Sequence, residues 1–170
     1  MTSRFPVQTA RLVQISVNPK GGVPKQRVPD AAVTTEGVVG DKQRDRRYHG
    51  GPERAVCLYS YEWIQALQDE GHPIDCGTTG ENLAISGLDW SHLQPGDQLR
   101  IGEHVHLEIT SYTAPCYKIG GSFIDGDFKR ISQKIHPGWS RLYARVLAAG
   151  RVAEGDAVQL EERAADDSLI

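Results

Sequence analysis

Apolar and polar residues alternate from Arg11 to Val17 with the two-residue period of a half-buried strand, and the run ends at Asn18-Pro-Lys-Gly-Gly. That strand delivers a loop carrying Lys20. Val33 to Val39 reads as a second strand and the apolar run Ala55 to Tyr59 as a third, which leaves the polar stretch Gly40 to Arg54 as a loop between strands. At Ser60 the period changes. Ser60 can cap a helix, Trp63, Ile64 and Leu67 follow helical spacing, and Gly71 is a C-terminal stop. Beyond it, Leu83 to Ile85, Gln98 to Ile101 and Val105 to Ile109 read as short strands between Gly, Pro and Asp turns, and Asp125 to Ile135 as a short helix.

Period two dominates, so the expected fold is mostly β with minor α, the helix covering one face of a barrel. An internal echo fits this. Gln94-Pro-Gly-Asp-Gln-Leu-Arg-Ile and Ala153-Glu-Gly-Asp-Ala-Val-Gln-Leu share a Gly-Asp turn that feeds an alternating strand, the kind of connection barrels use. The 170 residues fit one domain, expected over residues 1–165, with 166–170 a frayed acidic tail. The 18 Gly and 9 Pro are many for this length and favour the turn-rich reading.

The net charge of -3 matches the excess of four acids over one Arg from Glu161 to Ile170, so the rest of the chain is neutral. Whole-chain charge gives no case for a nucleic-acid or membrane-surface protein, and any basic site is local. No apolar run approaches the roughly 20 residues that span a bilayer, and Met1 to Gln14 has no signal-peptide stretch, so a cytoplasmic protein is expected. Cys57, Cys76 and Cys116 form no paired framework and no CxxC spacing, as suits a reducing compartment.

Cys116 stands in Thr110-Ser-Tyr-Thr-Ala-Pro-Cys-Tyr-Lys-Ile-Gly-Gly, where a strand ends and Pro115 stops the ladder. A free thiol is only about 3% thiolate at pH 7, so a functional cysteine needs a nearby cation or metal, and Lys118 is a candidate. The alternative is a half-buried structural cysteine. Cys57, inside Ala-Val-Cys-Leu-Tyr, reads as core, and Cys76 has no assigned role. The Gly40 to Ala55 loop has Lys42, Arg44, Arg46, Arg47 and Arg54 against Asp41, Asp45 and Glu53, and its Tyr48-His49-Gly50-Gly51-Pro52-Glu53-Arg54 segment could cradle a phosphate. Gly77-Thr-Thr-Gly-Glu-Asn-Leu offers a similar surface, where Asn82 either reads a planar heterocycle or caps its own turn. His104 and His106 sit two apart on one expected strand as half a zinc site at most, and a solvated strand face is the better reading.

His49-Gly-Gly-Pro-Glu-Arg-Ala-Val, Gly80-Glu-Asn-Leu, Ala114-Pro-Cys-Tyr-Lys and Gly150-Arg-Val-Ala-Glu-Gly-Asp-Ala-Val, in this order, resemble the MOSC domain, named for the C-terminal region of molybdenum cofactor sulfurase. The likeness runs from about Leu12 to Leu160, and His136-Pro-Gly-Trp-Ser-Arg-Leu-Tyr-Ala-Arg-Val-Leu looks like its stand-alone bacterial members. The resemblance implies a compact, mostly β barrel that holds a molybdenum cofactor, a pterin with a dithiolene and a phosphate. It implies Cys116 as catalytic residue and molybdenum ligand, and Lys20, Gly50, Gly51, Pro52, Glu53, Asn82 and Tyr143 as cofactor-contacting positions. Charge and placement add Arg46, Arg47, His49, Arg54 and Lys118. Tyr112-Thr-Ala precedes Pro115 where many relatives have a Pro-Arg pair, so no arginine is carried over there.

The implied activity is reduction of N-hydroxylated compounds, such as hydroxylamino purines or amidoximes, with electrons from separate donor proteins. No pyridoxal phosphate is expected, because the chain has no sulfurase-like domain to supply its lysine. The alternative is a carrier of sulfur or of the cofactor that uses Cys116 as persulfide or ligand. A barrel interaction domain without cofactor is a third reading, which the intact motifs argue against.

Overall fold

The computed structural model describes residues 9–42 and 51–161. Their strands are β1 (Ala10–Val17), β2 (Gln26–Val28), β3 (Asp30–Thr34), β4 (Gly37–Val38), β5 (Val56–Ser60), β6 (Leu83–Ser86), β7 (Gln98–Ile101), β8 (Val105–Tyr112), β9 (Leu142–Ala148), β10 (Gly150–Ala153) and β11 (Ala157–Glu161). Seven of them close a barrel in the order β1-β11-β7-β8-β9-β5-β6 and back to β1, while β2 extends the pairing of β1. A second sheet, β10-β3-β4, adds Ala31, Val33, Val38 and Val152 to the core. The barrel is the mostly β fold that the alternation predicts.

An odd number of strands cannot alternate direction all the way round a closed barrel. One neighbouring pair must be parallel, and it is β5 with β6; the other six pairings are antiparallel. A parallel pair needs a crossover of a dozen or more residues, usually helical. Residues 61–82 supply it, with helix α1 at Tyr61–Asp69. Ser60 Oγ accepts from the Trp63 amide at 3.1 Å, Ile64 and Leu67 are buried, and Gly71 follows at φ 100°, so cap, face and stop match the sequence pattern. No helix among the described residues is long and apolar enough to cross a membrane.

Leu12, Ile15, Leu58, Leu83, Ile85, Leu99, Ile101 and Leu107 are fully buried in the core. In β1 a register shift between Leu12 and Gln14 interrupts the strict alternation, so Leu12 and Ile15, three apart, both face inward. The echoed turns prove equivalent. Asp97 Oδ2 accepts from the Gln94 amide and Asp156 Oδ2 from the Ala153 amide, and the strands they feed, β7 and β11, are paired neighbours.

Three expectations need correction. Val33 to Val39 is a hairpin, not one strand: β3 and β4 pair Val33 with Val38 and Thr34 with Gly37 across the two-residue turn Thr35-Glu36. Asp125 to Ile135 forms no α-helix, because Asp125 and Gly126 adopt φ 55° and 69°; the segment contains short 3-10 turns, Ile124–Gly126 and Phe128–Ile131. His104 lies in the turn before β8, not on a strand beside His106, whose Nε2 is 3.3 Å from Glu161.

The excursion from Thr113 to Ser140, between β8 and β9, is a strap laid over the barrel wall. It is held by α1: Trp63 stacks on Trp139 with ring centroids 4.1 Å apart and donates from Nε1 to the Gly138 carbonyl. Arg130 lies over Trp139 at 4.1 Å and pairs in bidentate fashion with Glu70 at the end of α1.

Gly37 gives a test of the hairpin correction. Its φ is 126°, and a Cβ there would lie 2.7 Å from the Ala55 carbonyl oxygen, whereas a Cβ at Gly121 meets nothing within 4 Å. Gly37→Ala should lose about 2 kcal/mol or more in urea unfolding, while Gly121→Ala stays within about 0.5 kcal/mol.

Candidate functional site

A cleft of about 360 Å³ lies where the strap meets the outer face of the barrel. Its floor comes from β5 and β9, where Cys57 pairs in register with Tyr143, and Arg141 precedes Tyr143 by two residues. One wall is the β1–β2 loop with Gly22, Val23 and Lys25; another is the Thr79 to Asn82 segment at the end of the crossover. The strap closes it with Ala114, Cys116, Lys118 and Ile119. Cys116 is in extended conformation (φ −141°, ψ 172°) just before the 3-10 turn Tyr117–Ser122, whose Ile119 amide donates to the Cys116 carbonyl. The thiol is half-buried and lines the cleft, as a strand-end placement predicts.

The floor is fixed by Asn82. Its Oδ1 accepts from the Cys57 amide at 3.1 Å, and its Nδ2 donates to the Ser16 carbonyl at 3.2 Å and to Asp41 Oδ2 at 2.9 Å. Asp41 also takes Lys25 Nζ at 2.5 Å and the Asn18 amide at 2.8 Å. Three of the four hydrogen-bonding capacities of the Asn82 carboxamide are thus spent on protein, so it holds the walls together rather than facing a ligand with free groups.

Lys25 is neutralised by Asp41, but Lys42 and Lys118 have no ion-pair partner among the described residues. Arg141 is buried and donates from Nη1 to the Thr79 carbonyl at 2.5 Å and from Nη2 to the Ala114 carbonyl at 3.5 Å. Glu81 is buried behind this wall, with its oxygens taken by the Gly77 amide at 2.7 Å and Thr79 Oγ1 at 3.0 Å. Burial pushes its carboxyl up to about 7 against the pull of Thr79 and Arg141. Burial likewise raises the Cys57 thiol and the Tyr143 phenol, so both keep their protons at neutral pH. Cys76, half-buried outside the cleft, is pushed up to about 12 by burial.

Of the sequence candidates, Cys116, Lys118, Asn82 and Tyr143 come together in the cleft. Tyr143 lies within β9, ahead of β10 and β11. Lys20 is exposed in the turn after β1 and does not line the cleft. Gly51, Pro52, Glu53 and Arg54 form a 3-10 turn before β5; Thr110 Oγ1 donates to the Glu53 carbonyl, and the Arg54 guanidinium lies 5.5 Å from the centre of the Tyr143 ring. Arg46, Arg47, His49 and Gly50 lie outside the described residues.

The alternation does not single out Arg141, Lys25 or Thr79, yet all three line the cleft. Arg141 carried one signal, its two-residue spacing from Tyr143, which turns both to the same side where the chain enters β9. Cys57 is buried as expected, but on the outer face of β5, toward the cleft.

The sequence profile of the MOSC domain matches residues 45–159. The chain belongs to the MOSC domain family. Protein YiiM of Escherichia coli is 30% identical over 171 residues, which cover 96% of this chain and 75% of that one. YiiM of Geobacillus stearothermophilus has the same architecture, with a TM-score of 0.71 at 25% identity over 91% of this chain and 76% of that one. A protein named Reductase from Gibberella moniliformis is 33% identical over 132 residues, 75% of this chain but 23% of its own length. MOSC domains are associated with molybdenum cofactor binding.

Glu81 makes the stability of this MOSC domain depend on pH. Its folded value, about 7, lies above the ordinary 4.5, so the folded state holds the proton more tightly. That contribution is complete below pH 4.5 and is lost as pH rises through 7. Glu81→Gln should flatten the decline and be more stable than wild type at pH 8, by on the order of 2 to 3 kcal/mol. Melting curves from pH 5 to 8 for both proteins check this.

Proposed function

We propose that this MOSC domain binds the molybdenum cofactor in the Cys116 cleft and reduces N-hydroxylated compounds such as hydroxylamino purines or amidoximes, with electrons from separate donor proteins. The observation that carries the reading is one cleft that joins the motif cysteine to an excess of cationic side chains. The residues fit an anionic, metal-bearing ligand: a thiol is a soft donor, and among the described residues the Lys42 and Lys118 amines that line the same cleft have no carboxylate partner. The volume falls within the roughly 300–1,000 Å³ of small-molecule sites. A relative named as a reductase supports the chemical class.

When bound, the cofactor supplies two-electron redox chemistry at its metal. Cys116 offers the sulfur ligand, held at the strap's edge by Pro115 on one side and the 3-10 turn on the other. Cys57, buried and protonated, leaves that role to Cys116. Tyr143 keeps its proton on Oη beside both thiols, and Lys42 and Lys118 attract anionic groups. Ala114, Ile119 and Val23 provide the apolar surface that limits water in the cleft.

Protein made in a host able to synthesise the cofactor should carry molybdenum near one per chain. Cys116→Ser should keep its melting temperature within the range of a change of about 1 kcal/mol yet lose turnover of a hydroxylamine with an artificial donor, because a serine oxygen is a harder ligand with a far higher pKa. Cys57→Ser should lose about 1–3 kcal/mol of stability and keep its specific activity. Full turnover by Cys116→Ser would remove it as ligand. Stoichiometric transfer of sulfur or cofactor without turnover would replace the reductase with a carrier.

A further inference from the structure

A second cavity, a groove of about 550 Å³, opens on the other side of the wall that carries Cys116. Ala114 lines both cavities, so the backbone just before Cys116 is their common wall. The groove is mostly apolar, with Tyr112 and Pro115 from the end of β8 and the start of the strap, and Phe128 and Ile135 from the strap's later turns. Ile135 is 54% exposed, an apolar side chain that the fold leaves uncovered. Lys129 and Lys134 line the same groove and are exposed, and among the described residues neither has a carboxylate partner. Arg130 is already taken by Glu70, and the strap's two acids, Asp125 and Asp127, do not line the groove. An apolar floor edged by unpaired amines is the anatomy of a protein-binding patch, in which apolar groups are buried and the charged rim steers and selects the partner.

The position of the groove narrows the choice of partner. In the proposed reaction two electrons and two protons enter, the N–O bond breaks and the oxygen leaves as water, so each turnover needs an electron donor. The substrate enters by the mouth of the cleft. A protein donor seated over that mouth would shut it, whereas one seated in the groove meets the backbone next to Cys116 through Ala114 and Pro115 and leaves the mouth open. We infer that this groove is the docking site of an electron-donor protein whose surface around its redox group is acidic. The chain carries a net charge of -3, so an acidic partner is repelled by the molecule as a whole and is turned toward a local cationic face, which Lys129 and Lys134 supply. The inference rests on the proposed function for the need of a donor, and adds the face and the charge by which that donor is held.

The test has two arms. In the first, the isotope-labelled full chain is titrated at low salt with an acidic plant-type ferredoxin and with an acidic flavodoxin, and basic cytochrome c serves as the contrast. The backbone amides of Tyr112, Lys129, Lys134 and Ile135 should shift and saturate with an acidic protein, lose that response as salt is raised, and ignore cytochrome c. In the second, cofactor-loaded protein turns over a hydroxylamine with the reduced acidic donor or with a small reduced dye. Lys129→Glu combined with Lys134→Glu should lower kcat/KM for the protein donor by about tenfold or more, through KM, and flatten its salt dependence. Dye-driven turnover should stay unchanged, which also shows that the variant is folded. Shifts confined to the mouth of the cleft around Val23 and Gly80, no saturable shift with either acidic protein, or an undiminished rate in the charge-reversed variant overturns the inference. Groove amides that move when the chain alone is diluted would assign the groove to a second copy and overturn it as well. Failure of the reductase reading looks different: the groove shifts and their loss in the variant persist, while neither dye nor protein donor drives turnover.

Discussion

Asn82 ends the crossover that a seven-stranded barrel requires, and it grips Cys57 twice: its own amide donates to the Cys57 carbonyl while its Oδ1 accepts from the Cys57 amide. The same residue accepts the Ser16 amide on its carbonyl and returns a hydrogen bond from Nδ2 to the Ser16 carbonyl. A remaining Nδ2 proton goes to Asp41, which holds Lys25. One buried side chain thus fixes β5, β1 and two loops relative to each other. The floor and two walls of the cleft take their positions from it, because a buried amide left without these partners would carry its full desolvation cost.

The fourth side of the cleft depends on the same crossover by another route. Parallel pairing of β5 with β6 demands a long connection, that connection contains α1, and α1 presents Trp63 and the adjoining Glu70 to the strap. The strap carries Cys116. Barrel parity therefore leads through tryptophan stacking and an arginine–carboxylate pair to the position of one thiol. Arg141 closes the loop by binding carbonyls on both the crossover and the strap.

The charges follow a consistent arrangement. Asp41 cancels Lys25 at the base, and Glu81, raised to about 7 by burial, is only partly ionised near neutral pH and has its oxygens held by Gly77 and Thr79, so neither acid offsets Arg141, Lys42 or Lys118 by direct contact. The protonated Cys57 and Tyr143 add no negative charge. Among the described residues the cleft is net cationic in a chain whose overall charge is -3, so the local field is set by which acids are already engaged and not by composition.

Local features were legible in the sequence because local physics decides them. Alternation marked β1, a continuous apolar run marked β5, short period-two stretches between turns marked β7 and β8, Ser60 and Gly71 bounded α1, the Gly-Asp echo marked two equivalent turns, and Pro115 placed Cys116 just past a strand end. The hairpin at Thr35-Glu36 was not legible, since a seven-residue run with valines at both ends fits one strand as well as two short ones until Val33 is seen to pair with Val38, and the reason for Gly37 lies in its approach to Ala55, eighteen residues away. The rest of the cleft was decided only by the tertiary structure. A period of two sorts the residues of a strand into two faces but does not say what will cover each. The outer face of β5 reads as core because the strap buries it, and it is that cover which turns Cys57 and Tyr143 on their strands, with Arg141 at the start of β9, into the floor of a site.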